Sequence, residues 1–214
     1  MNLLSIDRIE QSINGHTPER LSVGEDTRQA AVAVILRDSG EQTEVLFILR
    51  ATKQGDPWSG HMAFPGGHRE DQDTSLRETA ARETMEEIGL DLSHAAFLGE
   101  LDAVRANPNR LKFDIVVTPF FCVLHHQDIS FSPNHEVADV LWGSLNEMYS
   151  GSSFTTCRFD VQGEKQTFPG YDVAGQIVWG LTYRILDSFF TMMDPNWVSH
   201  DQQFQDRSSE TPAL

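Results

Sequence analysis

Cysteine is almost absent: only Cys122 and Cys157 occur in 214 residues. This excludes a disulfide-stapled scaffold and a cage of four thiolates around a metal. Both thiols sit among hydrophobic, strand-like neighbours, which is the setting of a buried thiol. Long apolar runs are missing too. No stretch approaches the roughly 20 apolar residues of a membrane span, and the first residues, from Met1 to Gln11, mix acidic and polar side chains where a secretory leader is apolar. The expectation is a cytoplasmic protein with no membrane partner. Basic residues are scarce, with 16 Lys and Arg against 32 Asp and Glu and a formal charge of −16. Without a dense Lys/Arg run, long nucleic acid is excluded as a ligand. The same charge repels a small phosphorylated substrate unless metal ions neutralise part of its site.

What is present suits one folded domain with extensions. A hydrophobic content of 39% and a charged content of 22% are those of a soluble globular chain. Leu3, Leu4, Ile6, Ile9 and Ile13 fall on one helical face, and Asn14-Gly15 ends that pattern. Residues 1–28 therefore read as a helix and linker. Strands are expected at Ala30 to Leu36, Val45 to Leu49, Ala96 to Leu101, Phe113 to Val123 and Val137 to Trp142. A helix is expected from Val178 to Met192, closed by Asp194-Pro195. The domain then spans 29–198, followed by a polar tail over 199–214. Strands interleaved with long helices predict an α/β sheet covered by helices. The N-terminal helix and the segment Gly151 to Gly170 could each shape a lid or a homodimer contact.

The most informative stretch is a short helix. Ser75-Leu-Arg-Glu78 has capping-box spacing and Gly89 lies just past Ile88, which brackets a helix at about 76–88. Within it, Arg82-Glu-Thr-Met-Glu-Glu87 places Glu83 and Glu87 about 40° apart around the axis, with Glu86 one position further round. Three carboxylates are expected to converge on one edge. Like charges at that spacing repel, so something cationic must compensate. Arg82 can pair with Glu86 at i+4, and the remaining charge invites a hard divalent ion, Mg²⁺ or Mn²⁺, which keeps waters and substrate oxygens in its shell. Upstream, Phe64-Pro-Gly-Gly67 is a turn whose carbonyl and amides can approach a metal-bound diphosphate.

These residues resemble the Nudix family, whose signature runs glycine, five residues, glutamate, seven residues, then Arg-Glu-U-X-Glu-Glu-X-Gly-U, with U a bulky aliphatic. Here Gly67, five residues, Asp73, eight residues and then Arg82 to Leu90 follow that pattern. The departures are Asp73 for glutamate, one extra residue before Arg82, and Thr84 at a U position. The resemblance implies an α/β/α sandwich with a mixed sheet. It also implies that Glu83, Glu86, Glu87 and the backbone of Gly67 hold the metal, and that Arg82 orients the cluster. The chemistry implied is attack of water on one phosphorus of a diphosphate. Glu86 and Glu136 are both candidates for the base that takes the water's proton.

Gly60-His-Met-Ala-Phe-Pro-Gly-Gly67, with Leu49-Arg50-Ala51 before it and the longer spacing in the motif, is similar to the coenzyme A pyrophosphatase branch of that family. That branch also expects an arginine near residue 55 or 56, where this chain has Gly55-Asp-Pro-Trp58, and Lys53 is the nearest substitute. Arg50, Lys53, Trp58 and Arg69 are the candidate contacts to a nucleotide-diphosphate substrate, with Arg105, Arg110 and Lys112 as further cations. Trp58 can stack on a base or anchor its own loop, and His61, His68 and His135 are secondary. Nucleoside-diphosphate sugars, dinucleoside polyphosphates or damaged nucleotides are the alternative substrates. A non-catalytic nucleotide-binding module is the alternative role.

Overall fold

A computed structural model describes residues 2–24, 26–53, 59–106, 114–125, 129–161 and 164–202. The elements run α1 Ile6–Gly15, β1 Thr27–Asp38, β2 Thr43–Arg50, β3 Met62–Ala63, β4 Gly66–His68, α2 Leu76–Ile88, β5 Ala96–Glu100, β6 Val104–Ala106, β7 Asp114–Leu124, β8 Val137–Ser144, α3 Leu145–Ser150, β9 Phe154–Val161, β10 Glu164–Val173, β11 Gln176–Trp179 and α4 Gly180–Met193. Among the described residues, β1 to β8 form one sheet in which β1 pairs parallel with β7 and the other pairings are antiparallel. The sheet is mixed, as expected.

Its two faces are covered by helices because the central strands are apolar on both sides. Ala31, Ala33, Ile35, Leu46 and Ile48 pack under Ala80 and Ile88 of α2. Val34, Leu36, Val45 and Phe47 pack on the other face against Ile9 and Ile13 of α1 and Ile185, Leu186, Phe189 and Phe190 of α4. The result is an α/β/α sandwich. Ala31, Ala33, Ala80, Thr79 and Thr84 are all buried. This small-residue seam lets α2 lie close to β1. Thr84, in a place where an aliphatic is usual, satisfies its buried hydroxyl by donating to the Ala80 carbonyl at 2.7 Å.

Two expectations change, and one segment left open by the sequence takes a definite form. Val178 and Trp179 belong to β11, and α4 begins at Gly180, whose φ of 65° breaks the strand. The segment 151–170 is built into a second, three-stranded antiparallel sheet of β9, β10 and β11. Tyr171, Val173 and Val178 of that sheet enter the main core. Ser199 and His200, placed by sequence in a polar tail, pack on the domain. Tyr183 and Ser199 share a hydrogen bond of 3.3 Å, and the His200 ring lies 3.1 Å from the Tyr149 carbonyl oxygen. Both cysteines are free and buried. No helix among the described residues is long and apolar enough to cross a membrane.

Candidate active site

The carboxylate helix is held at both ends. The Ser75 hydroxyl accepts from the Glu78 amide at 3.2 Å, while Glu78 reaches back to the Thr74 amide at 2.7 Å rather than to the Ser75 amide. Gly89, at φ 69°, donates its N–H to the Met85 carbonyl at 3.0 Å. Between these caps, the outer edge of α2 faces the turn from Phe64 to Gly67, because β4 pairs with β1 directly beside the helix.

Two glycines make that approach close. At Gly66, with φ 151°, an added Cβ would lie 2.6 Å from Val32 Cα and against the Ala31 carbonyl oxygen. At Gly67 it would lie 2.5 Å from Glu83 Cδ. Gly66 also donates its N–H to Glu87 Oε2 at 2.9 Å. Glu87 is 3% exposed, and burial pushes its carboxyl up to about 7, with the nearby charges of Glu83 and Glu136 acting in the same direction and the Gly66 amide and Arg50 opposing. Burial also raises Glu83, against the pull of Arg82. Two carboxylates thus crowd a glycine turn with too little positive charge between them.

Substitutions at the two glycines should therefore behave differently. Gly66→Ala meets main chain and a conformation that L side chains avoid, so it should lower stability by roughly 1–3 kcal/mol in a urea titration. Gly67→Ala meets the movable end of Glu83, so its melting temperature should stay near wild type while any metal-dependent turnover falls.

Arg82 is the hub on the other side. Its Nε and Nη2 donate to the two oxygens of Asp73 at 3.0 and 3.1 Å, and Nη2 also donates to the His68 carbonyl at 3.0 Å and to Glu83 Oε1 at 3.1 Å. Nη1 donates to Glu86 Oε2 at 3.3 Å. Asp73, 3% exposed, accepts as well from the Glu70 amide and the Thr79 hydroxyl. The Arg82 fork holds its carboxyl well below the usual carboxylate range. Asp73, which stood in the sequence only as a departure from the signature, is thus the anchor of Arg82.

The three glutamates do not converge as expected. Glu83 and Glu87 share the glycine turn, whereas Glu86 is exposed and paired with Arg82 at i+4, because helical geometry puts it on the side of Glu83 opposite to Glu87. Among the described residues, no three acidic, His or Cys side chains close around one point. The donors present are nevertheless hard oxygens on one turn, with the Glu83 carboxylate against the Gly67 backbone and Glu87 on the Gly66 amide, and this donor set fits a hard divalent cation.

Arg50 and Glu136 come to this side of the molecule, since both bear electrostatically on Glu87. The Ala51 N–H donates to the Glu136 carbonyl at 2.7 Å. Lys53 is exposed, with its amide on the Ser59 hydroxyl. Arg69 is tied to Gln29 and to the Asp73 carbonyl, and Arg105 pairs with Asp114. His61 packs edge-on to Trp179, and His135 is exposed. Trp58, Gly55 to Pro57, Arg110 and Lys112 lie outside the described residues.

The NUDIX domain family matches residues 27–157. An uncharacterized Nudix hydrolase, NudL, of Photorhabdus laumondii is 30% identical over 169 residues, covering 79% of this chain and 86% of that protein. A peroxisomal coenzyme A diphosphatase of Caenorhabditis elegans is 29% identical over 136 residues, 62% of this chain and 56% of that protein. An uncharacterized Schizosaccharomyces pombe protein is 35% identical over 131 residues, of whose length this chain spans 40%. Among solved structures, a MutT/nudix family protein from Enterococcus faecalis superposes with a TM-score of 0.53 at 19% identity, covering 89% of this chain and 70% of that one. The family match, the relatives and the fold agree with the Arg82 to Leu90 motif: the chain belongs to the Nudix family of hydrolases, enzymes that act on phosphorus anhydrides.

Proposed function

We propose that this chain is a Mg²⁺- or Mn²⁺-dependent diphosphatase that cleaves CoA or a CoA-like nucleotide by attack of water on phosphorus. The observation that carries the reading is the buried Glu87, bonded to the Gly66 amide, with the Glu83 carboxylate beside it packed directly against the Gly67 backbone. A carboxylate pair raised in this way is stable as an ionised pair only beside added positive charge. When bound, the cation would supply charge neutralisation for the phosphoryl oxygens and a lower pKa for the attacking water.

The chain's own groups supply the rest. Glu83, Glu87 and the Gly67 backbone would hold the cation, with Glu86 as a further ligand on the Arg82 side. Arg82, fixed on Asp73, keeps Glu83 turned toward the turn. Glu136 is the better base. Glu86 is occupied by Arg82, whereas Glu136 comes from a separate, solvent-exposed loop beside Glu87. Arg50, Lys53 and Arg69 are the cations that would meet the substrate, and Trp58 an aromatic contact.

The CoA assignment draws on Gly60 to Gly67, on Leu49-Arg50-Ala51, and on the 29% identity to a CoA diphosphatase. Incubation with CoA, ADP-ribose and diadenosine polyphosphates under Mg²⁺ tests it. CoA should be the fastest substrate, split at its diphosphate, and Lys53→Ala should raise KM for CoA more than it lowers kcat. Inert CoA beside rapid ADP-ribose cleavage would discard the CoA assignment and keep the hydrolase.

A further inference from the structure

We propose that Asn134 is a positioning residue that couples the Glu136 loop to the carboxylate end of α2. The proposal rests on the diphosphatase reading and on the role given there to Glu136.

The last carbonyls of a helix have no partner inside it. In α2 three of them are met by one loop. Asn134 Nδ2 donates to the Glu86 carbonyl at 2.9 Å, the Asn134 N–H to the Glu87 carbonyl at 2.9 Å, and the Ser132 N–H to the Ile88 carbonyl at 2.8 Å. The other end of the same side chain faces the base, with Asn134 Oδ1 accepting from the Glu136 N–H at 2.7 Å. One amide group thus joins the main chain of a proposed metal ligand to that of the proposed base. The reverse orientation would set oxygen against oxygen and N–H against N–H, so the two partners fix it.

Ending the helix does not require this link. Gly89 already closes α2 through its bond to the Met85 carbonyl. What Asn134 adds is a connection, and it continues beyond Glu136. The Glu136 carbonyl accepts from Ala51, and the pairing of β2 with β8 shifts register beside it, between Leu49 and Arg50. Such a shift re-aims the side chains next to it, here Arg50. Helix end, base loop and the end of β2 next to Arg50 form one hydrogen-bonded track in which Asn134 is the joint. Asparagine suits the place because it must both donate and accept. Aspartate keeps the acceptor toward Glu136 and loses the donor toward Glu86, and alanine loses both.

That difference is the test. Asn134→Asp and Asn134→Ala are assayed under Mg²⁺ with whichever of CoA, ADP-ribose and diadenosine tetraphosphate the wild type cleaves fastest, and Glu136 amide exchange is followed in parallel. Both variants should lose about 10- to 100-fold in kcat with KM little changed. The Glu136 amide should stay protected in the aspartate variant and lose protection in the alanine one. Wild-type kcat in Asn134→Asp would overturn the proposal and leave the diphosphatase reading intact, because the turn alone would then suffice. So would a loss confined to melting temperature. If the alanine variant does not fold, the aspartate variant decides by itself. A wild type inert on all three diphosphates would overturn both readings together.

Discussion

Glu87→Gln is expected to abolish diphosphate hydrolysis while making the metal-free protein more stable at pH 8. The sign follows from burial. Glu87 has its folded-state proton affinity raised to about 7, from 4.5 in the unfolded chain. Below about pH 4.5 both states hold the proton, and the contrast between Glu and Gln is small. As pH rises toward 7 the unfolded state releases its proton first, so stability falls, and above 7 the folded protein carries a penalty of about 3 kcal/mol. A neutral glutamine can still accept from the Gly66 amide without that penalty. In a chain of this size the gain corresponds to roughly 5 °C or more. Calorimetry in chelator at pH 8 and pH 5 should show the gain at the higher pH and little at the lower. Turnover under saturating Mg²⁺ should fall by about 100-fold or more. An active variant, or one equally stabilised at both pH values, would discard the role given to Glu87.

Asp73→Ala should be among the most damaging changes outside the apolar core. It removes the two-pronged partner of a largely buried guanidinium, which keeps Glu83, Glu86 and the His68 carbonyl, so the cost is about 1–3 kcal/mol rather than that of a stranded charge. It also frees Arg82 from the geometry that presents Glu83, so turnover should fall even in molecules that remain folded. The acid dependence has a defined sign. Asp73 is held well below its usual range when folded, so its contribution is full above about pH 4 and is lost as pH falls further. Asp73→Asn should flatten that acid limb in a denaturant-midpoint series. Asp73→Glu is the sharper probe, since it restores the residue common in the signature without removing the extra residue between 73 and 82. Stability equal to wild type in Asp73→Glu would show that side-chain length and spacing are not coupled.

The elements legible in the sequence are those whose side chains carry their own signal. The helix 76–88 is bracketed by Ser75 and Gly89, and the strands around Val34, Phe47, Val117 and Val140 are marked by long β-branched and apolar runs. What escaped is held by backbone pairing or by alternation too weak to read. β3 and β4 are two and three residues long and exist because β2 and β1 offer free edges to the glycine turn. β9 and β10 show no clear apolar alternation, so only their pairing and the burial of Tyr171 and Val173 reveal them. In the site, charge type was legible and direction was not. The pairing of Arg82 with Glu86 was readable from its i+4 spacing, but not that it would separate Glu86 from Glu87, and Asn134 lies 48 residues from the carbonyl it holds.

The parallel pairing of β1 with β7 carries a consequence for the order of assembly. Thr27 and Asp114 are 87 residues apart, so the central ladder closes only after a long loop has been ordered, which slows folding. The bond from Gly66 to Glu87 spans 21 residues. On a chain emerging from the ribosome, the carboxylate cluster can therefore take shape before the strand that completes its floor has been synthesised. The base loop and the central sheet arrive later, so hydrolysis should be the last property a refolding chain recovers.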